Sequence, residues 1–242
     1  MKTCIIVPTI RPFENWVAWK ENFDRYGHEP DVILIDEEPG SVREKNLSLI
    51  PKAEIYGQGE RVEWFRERRL EKYSDVIPKH SHAETSFGLL VAYERKYDMV
   101  VFIDDDTLPY RDADFLGRHW ENLNQPHPTR GPPQPWENVT LGLYYPRGYP
   151  YSERKLKFYS EIKRGDRVPV LSQGLWTQVP DMNAVDILVE GGLDGRVIND
   201  QAPATTVFNA NQGVHLTICS MNLAFRPEII PAFYQLPMGV YG

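Results

Sequence analysis

Cysteine is scarce in this chain, with two among 242 residues, Cys4 and Cys219, both in apolar contexts. Such scarcity excludes a disulfide framework and suits buried thiols in a reducing compartment. Long hydrophobic runs are missing too. No window approaches ~18 uninterrupted apolar residues, so no segment reads as a membrane-spanning helix. Nor is there a basic excess: 27 Lys and Arg face 34 Asp and Glu, a net charge of -7. That balance disfavours a nucleic-acid binder relying on overall electrostatics. It leaves room for a local basic pocket, and the surplus acid suits a cation-dependent site. The start, Met1 to Pro8, enters an apolar run without the length or the small-residue cleavage site of a signal peptide. The expectation is a cytoplasmic protein. Asn138-Val139-Thr140 is a glycosylation sequon by pattern alone, with no secretory context.

What is present is organised around Val100-Val101-Phe102-Ile103-Asp104-Asp105-Asp106-Thr107. The first half is apolar at every position instead of alternating, which predicts a buried parallel strand. Acids delivered at the C-terminal end of such a strand lie where open α/β sheets bind ligands. Adjacent carboxylates repel one another and are tolerable when solvated or when a cation sits among them. Taken alone, the tripeptide fits a divalent-metal site holding a diphosphate and a solvated acidic turn equally well.

The same continuous apolar pattern predicts strands at Cys4–Val7 and Val32–Ile35, and a short one at Ala53–Tyr56. Pro8 to Pro12 is expected to break the first strand. Trp16, Trp19 and Phe23 recur at helical spacing, so a helix is expected over Glu14–Arg25. The strand–helix–strand order implies a parallel pair with a right-handed crossover. Asp36 falls just past the second strand, where an acid can accept hydrogen bonds from ribose or base, or can simply end a strand. Further helices are expected at Glu60–Tyr73, with Val62, Phe65 and Leu70 inward, at Ser86–Arg95, with Phe87, Leu90 and Val91 packed, and at Ala113–Leu123. His80-Ser81-His82 has a metal-capable spacing but no Cys or third His nearby, so no zinc site is assigned. The prolines between Asn124 and Pro135 predict a loop. A strand is expected over Val139–Tyr144 and another over Val214–Cys219, and Pro227 is placed to start a helix.

Arg147-Gly148-Tyr149-Pro150-Tyr151-Ser152-Glu153-Arg154 sets two arginines among aromatic and turn residues. Such a loop can hold guanidinium groups against phosphate, or be an exposed structured turn. Aromatic residues are abundant, with 13 Tyr and 6 Trp, but aromatics serve sugar pockets and cores alike.

Several segments together resemble one family, the reversibly glycosylated polypeptides, which include the plant UDP-arabinopyranose mutases. They are Ile6-Val7-Pro8-Thr9-Ile10-Arg11, Phe102-Ile103-Asp104-Asp105-Asp106, Arg147 to Ser152, Ser172-Gln173-Gly174-Leu175-Trp176 with Pro180-Asp181, and Met221 to Phe225. They occur in family order across almost the whole chain. The resemblance implies an α/β fold of the nucleotide-diphospho-sugar transferase (GT-A) type, with a mostly parallel central sheet flanked by helices. It implies a divalent cation, usually manganese with magnesium the alternative, held by Asp104, Asp105 and Asp106. It places Pro8, Thr9, Arg11 and Asp36, with Asp104 and Asp105, near the nucleotide. Arg147 matches the arginine that family members glycosylate on themselves, and Arg154 a second arginine of the same motif; both are candidate catalytic residues. Trp176, Asp181 and Asn222 are the candidates for the sugar.

The departures are Asp36-Glu37-Glu38 in place of an Asp-Gly-Asp pattern, and His82-Ala83-Glu84-Thr85-Ser86 where plant members carry Cys-Arg-Cys. Plant members also continue past the position of Gly242 with an acidic, Trp-containing helix and a later histidine. The expectation is a single nucleotide-sugar-binding domain over 1–242, natively short or truncated. Its implied activity is a metal-dependent mutase interconverting pyranose and furanose forms of a UDP-arabinose-like sugar. A glycosyltransferase with a separate acceptor and a non-catalytic sugar-nucleotide-binding subunit remain open. The implied partners are a UDP-sugar and, since plant-type members assemble with one another, further copies of the chain.

Overall fold

Continuous apolar sequence builds the central sheet of the first of two units, Met1–Trp120 with Leu223–Gly242; the second is Glu121–Asn222. The computed structural model describes residues 1–36, 41–79, 81–131, 136–138, 144–154, 161–174, 181–189, 207–208 and 215–233. In chain order, the first unit carries β1 (Thr3–Thr9), α1 (Trp16–Tyr26), β2 (Asp31–Asp36), α2 (Ser41–Leu49), β3 (Glu54–Tyr56), α3 (Gln58–Glu67), α4 (Thr85–Arg95), β4 (Met99–Ile103) and the start of α5 (Phe115–Asn124). The second holds β5 (His127–Gly131), β6 (Trp136–Glu137), β7 (Glu161–Arg167), β8 (Leu171–Gln173), α6 (Ala184–Val189), β9 (Val207–Phe208) and β10 (His215–Leu216). Strand β11 (Asn222–Phe225) then returns the chain to the first unit.

Strands of the first unit lie in the order β3-β2-β1-β4-β11. The pairs β2–β3, β1–β2 and β1–β4 are parallel. This is the expected α/β architecture, a mostly parallel sheet with helices packed against it. Every residue of β4 is buried, as are Cys4 to Val7 of β1. Burial on both faces is why these strands read as unbroken apolar runs. Phe102 of β4 packs against Phe225 and Phe233 at ring-centroid distances of 5.4 and 5.8 Å. Helix α4 lies so close to β1 that a Cβ on Gly88 would stand 2.5 Å from Ile6 Cγ2. Helix α1 buries Trp16, Trp19 and Phe23 and ends at Gly27, whose φ of 71° closes the cap.

Several expectations need correction. Pro8 does not break β1, which runs on to Thr9 and pairs Pro8 with Ile35 of β2. The β1–β4 pairing ends at Ile6 and Phe102, so the missing Pro8 N–H lies beyond that ladder. The helix expected to reach Tyr73 stops at Glu67, and a single 3-10 turn covers Glu71–Tyr73. Val62 and Leu90 face outward, while Arg61, Trp64 and Leu89 are buried in their place. Arg61 is tolerated inside because its guanidinium pairs with the buried Glu84 carboxylate. The segment from Pro227 is a 3-10 helix, Pro227–Ala232.

In the second unit β5 pairs antiparallel with β7 and parallel with β9, and β6 pairs with β10. Strand β5 occupies part of the expected proline loop. Pro128 sits where the β5–β7 register shifts between His127 and Thr129, and an irregularity there spares the ladder a donor that proline lacks. The strand expected over Val139–Tyr144 falls largely outside the described residues. Asn138 of the sequon is buried and donates to the Tyr144 carbonyl at 2.7 Å. No helix among the described residues is long and apolar enough to cross a membrane.

Candidate functional site

From β1 the chain moves outward to β2 and β3, then returns to β4 on the other side of β1. The strand order therefore reverses between β1 and β4. Open parallel sheets bind ligands outside the carboxyl ends of their strands at such a reversal. Thr9 ends β1 directly opposite buried Asp36 of β2, and Asp104 to Asp106 follow β4.

These residues meet. The Thr9 hydroxyl reaches Asp105 Oδ2 at 2.7 Å and the Arg11 carbonyl at 2.5 Å, and its oxygen accepts the Arg11 amide at 3.2 Å. Arg11 turns its Nε to Asp105 Oδ1 at 3.2 Å and its Nη2 to Asp106 Oδ2 at 3.7 Å. Asp105 is buried, and desolvation pushes its pKa up against the pull of Thr9 and Arg11. The acid turn is held from beneath. Thr107 donates its hydroxyl to the Asp104 carbonyl at 2.7 Å, and Trp19 of α1 donates its indole N–H to the Thr107 carbonyl at 2.9 Å. Asn22 fixes the same segment further on through the carbonyls of Tyr110 and Ala113, at 2.9 and 2.8 Å.

One contributor escaped the sequence reading. Asn46 of α2 is fully buried; its Oδ1 accepts the Phe13 amide at 2.7 Å and its Nδ2 donates to the Arg11 carbonyl at 3.4 Å. It fixes the backbone that carries Arg11. Helix α2 itself was not anticipated, because Ser41 to Leu49 shows little apolar periodicity.

The donor chemistry fits a hard divalent cation, which takes carboxylate oxygens and often only one or two of them beside water and substrate phosphate. Both Asp105 oxygens are engaged by Thr9 and Arg11. The Asp106 side chain is 56% exposed and meets Arg11 only at 3.7 Å, so it is the better placed of the two to take a cation. No group of three His, Cys, Asp or Glu able to hold a metal occurs among the described residues. His80 lies outside them.

In the second unit Arg147 donates its amide to the Asp181 carbonyl at 2.8 Å and sets its Nη2 2.9 Å from Asp181 Oδ1. Its guanidinium side chain is 64% exposed, above an acid that is 9% exposed. Gly148 follows with φ 86°, a left-handed turn residue. Tyr149 is buried with its hydroxyl donating to the Trp136 carbonyl at 3.2 Å, and burial raises its pKa. Arg154 is enclosed, paired through both terminal nitrogens with Asp186 at 2.8 and 2.7 Å. Asn222 accepts the Gly174 amide at 2.9 Å through its carbonyl, and its side chain fills the space a Gly174 Cβ would need. Pro8, Thr9, Arg11, Asp36 and the three acids thus gather in the first unit, and Arg147, Arg154 and Asp181 in the second. Trp176 lies outside the described residues.

A mostly parallel sheet flanked by helices, with an acid–arginine cluster at its point of strand reversal, defines the class, an open-sheet α/β protein. Within that class the chain belongs to the family whose model is described as reversibly glycosylated polypeptide, which matches residues 3–240. It is 27% identical over 241 residues to UDP-arabinopyranose mutase 3 of Arabidopsis thaliana, covering 97% of this chain and 59% of that one. It is 28% identical over 245 residues to probable UDP-arabinopyranose mutase 1 of Pisum sativum, covering 97% and 58%. The chain therefore spans less than two thirds of the length of these relatives. A solved structure, glucosyl-3-phosphoglycerate synthase from Mycobacterium tuberculosis in complex with phosphoglyceric acid, overlaps 46% of this chain and 36% of its own at 12% identity, with a TM-score of 0.31.

Proposed function

We propose that this chain binds a UDP-sugar and acts as a mutase interconverting its pyranose and furanose forms, with an arabinose-like sugar as substrate. The meeting of Thr9 and Arg11 with Asp105 and Asp106 at the strand reversal carries the ligand class. Mutase relatives matching 97% of the chain support the reaction. Asp106, with Asp104, would hold manganese or magnesium, which when bound neutralises charge on the diphosphate. Asp105 orients Arg11, whose exposed guanidinium can leave its carboxylates for phosphate oxygens. Asp36 and the Pro8–Thr9 edge are assigned to the nucleoside, and Asp181 and Asn222 to the sugar.

Arg147 is assigned the self-glycosylation. A guanidine nitrogen bonds to sugar C1 as the C1–oxygen bond to UDP breaks; UDP leaves with the bonding pair and the nitrogen's proton passes to water. Incubation with UDP-arabinopyranose and manganese, followed by chromatography, tests the reading. UDP-arabinofuranose is the expected product; its absence while UDP still binds would remove the mutase.

A second reading, a non-catalytic UDP-sugar-binding subunit, is favoured by one observation: Arg11 already supplies positive charge to Asp105 and Asp106. It predicts UDP binding with no turnover and no modified Arg147.

A further inference from the structure

The two arginines of the 147–154 segment have opposite surroundings. Arg147 offers its guanidinium to solvent. Arg154 does not: its side chain is 16% exposed, both terminal nitrogens are bound to Asp186, and the rings of Tyr151 and Tyr145 lie 3.8 and 4.7 Å from its Cζ. This end-on pairing commits both terminal nitrogens to the carboxylate, and the Nε–H that it leaves unbonded is buried away from solvent.

Its partner is equally fixed. The Asp186 amide donates to Asn183 Oδ1 at 3.0 Å, as at a helix N-cap, and the Asn183 side-chain amide donates to Asp186 Oδ2. Tyr151 adds its hydroxyl to Asn183 Oδ1 at 2.8 Å. In a capping box the acid three residues past the cap would turn back to the cap amide. Here the carboxylate is turned to Arg154 instead. Residues 181–186 therefore hold the arginine segment at two points: Asp181 at Arg147 and Asp186 at Arg154.

We infer that Asp186 is a positioning residue, which locks Arg154 and through it holds the segment that presents Arg147. Arg154 then belongs to the support of the reaction, not to the groups that touch the substrate. The pKa of Asp186 is drawn down chiefly by its hydrogen bonds from Arg154, in keeping with a charge-assisted lock. The consequence for Arg147 rests on the self-glycosylation reading above.

The test compares wild type with Asp186→Asn, Asp186→Glu and Arg154→Lys. Two readouts need no sugar donor: phenylglyoxal labelling of each arginine, followed by peptide mapping, and amide hydrogen exchange across 144–154. A third is donor-dependent modification of Arg147, measured beside UDP affinity. In wild type, Arg147 should react with phenylglyoxal about tenfold faster than Arg154. In Asp186→Asn, labelling of Arg154 should rise about tenfold and exchange at the Arg147 amide should quicken. Modification of Arg147 should fall by a similar factor with UDP affinity unchanged, and Asp186→Glu should restore part of each effect. Unchanged labelling and exchange in Asp186→Asn would overturn the lock. A loosened segment with undiminished Arg147 modification would overturn the positioning role. If Arg147 is unmodified even in wild type, the self-glycosylation reading fails while the donor-free readouts still decide the lock. Should Asp186→Asn unfold the chain, Arg154→Lys decides the same question, because lysine keeps the charge but loses the paired donors and the flat face.

Discussion

The strand-end cluster of the first unit and the arginine segment of the second use the same ion pair in different ways. Around Asp105 the carboxylate is buried and its arginine is 55% exposed. Around Asp186 both partners are mostly enclosed, at 16% and 21%. An exposed guanidinium above a buried acid can move to an incoming anion. An enclosed pair can only hold its neighbours, because opening it strands a desolvated charge. Arg147 above Asp181 repeats the first arrangement. Exposure of the arginine, not the presence of the pair, separates groups that can meet a ligand from groups that support them.

An arginine that moves above a fixed acid needs the acid turn to lean on a rigid base. The largest test of that base is Phe102→Ala, which opens a cavity against Phe225 and Phe233 two residues before Asp104. A loss of about 3–5 kcal/mol is expected in chemical denaturation of the first unit. A loss below about 1 kcal/mol would mean the acids are not mounted on a packed core. Asn46→Ala comes next, removing the buried group that holds the Arg11 backbone. It should lower stability by about 1–3 kcal/mol and weaken UDP binding as well. Lost stability with UDP affinity intact would separate Asn46 from the site.

The smallest effect belongs to a pair with no enclosed member. Glu54 and Arg95 are 44% and 32% exposed. Hydrogen bonds from Arg95 hold the Glu54 pKa below its ordinary 4.5. A depressed carboxylate contributes stability that is present above its unfolded pKa and lost as pH falls through the folded one. The gap between wild type and Glu54→Gln should therefore be under about 1 kcal/mol at neutral pH and close in acid, as read by thermal melts across pH. A gap that persists at low pH would show that the contribution is not ionic.

Much of the fold was legible. The strands at Cys4, Val32 and Val100 announced themselves because burial on both faces leaves no reason for polar residues, and the Trp16–Trp19–Phe23 spacing marked α1. The position of the acids was legible, since a strand that ends in carboxylates carries them to the C-terminal edge of the sheet. Proline misled twice. Pro8 and Pro128 both lie within strands where the absent donor matters little, a matter of ladder register that no local pattern reveals. Arg61 and Asn46 were invisible for another reason: a polar residue turns inward only when a distant partner meets it, and Glu84 and the Arg11–Phe13 backbone are remote in sequence. Arg154 looked equivalent to Arg147 because the Asp186 that distinguishes them lies 32 residues further on.

Asp106 and its neighbours are proposed to hold a cation for a UDP-sugar. Calorimetric titration of UDP into wild type with manganese, into wild type with a chelator, and into Asp106→Ala with manganese tests it most directly. Affinity should fall at least about tenfold in the second and third titrations relative to the first. Equal UDP affinity in all three would contradict it.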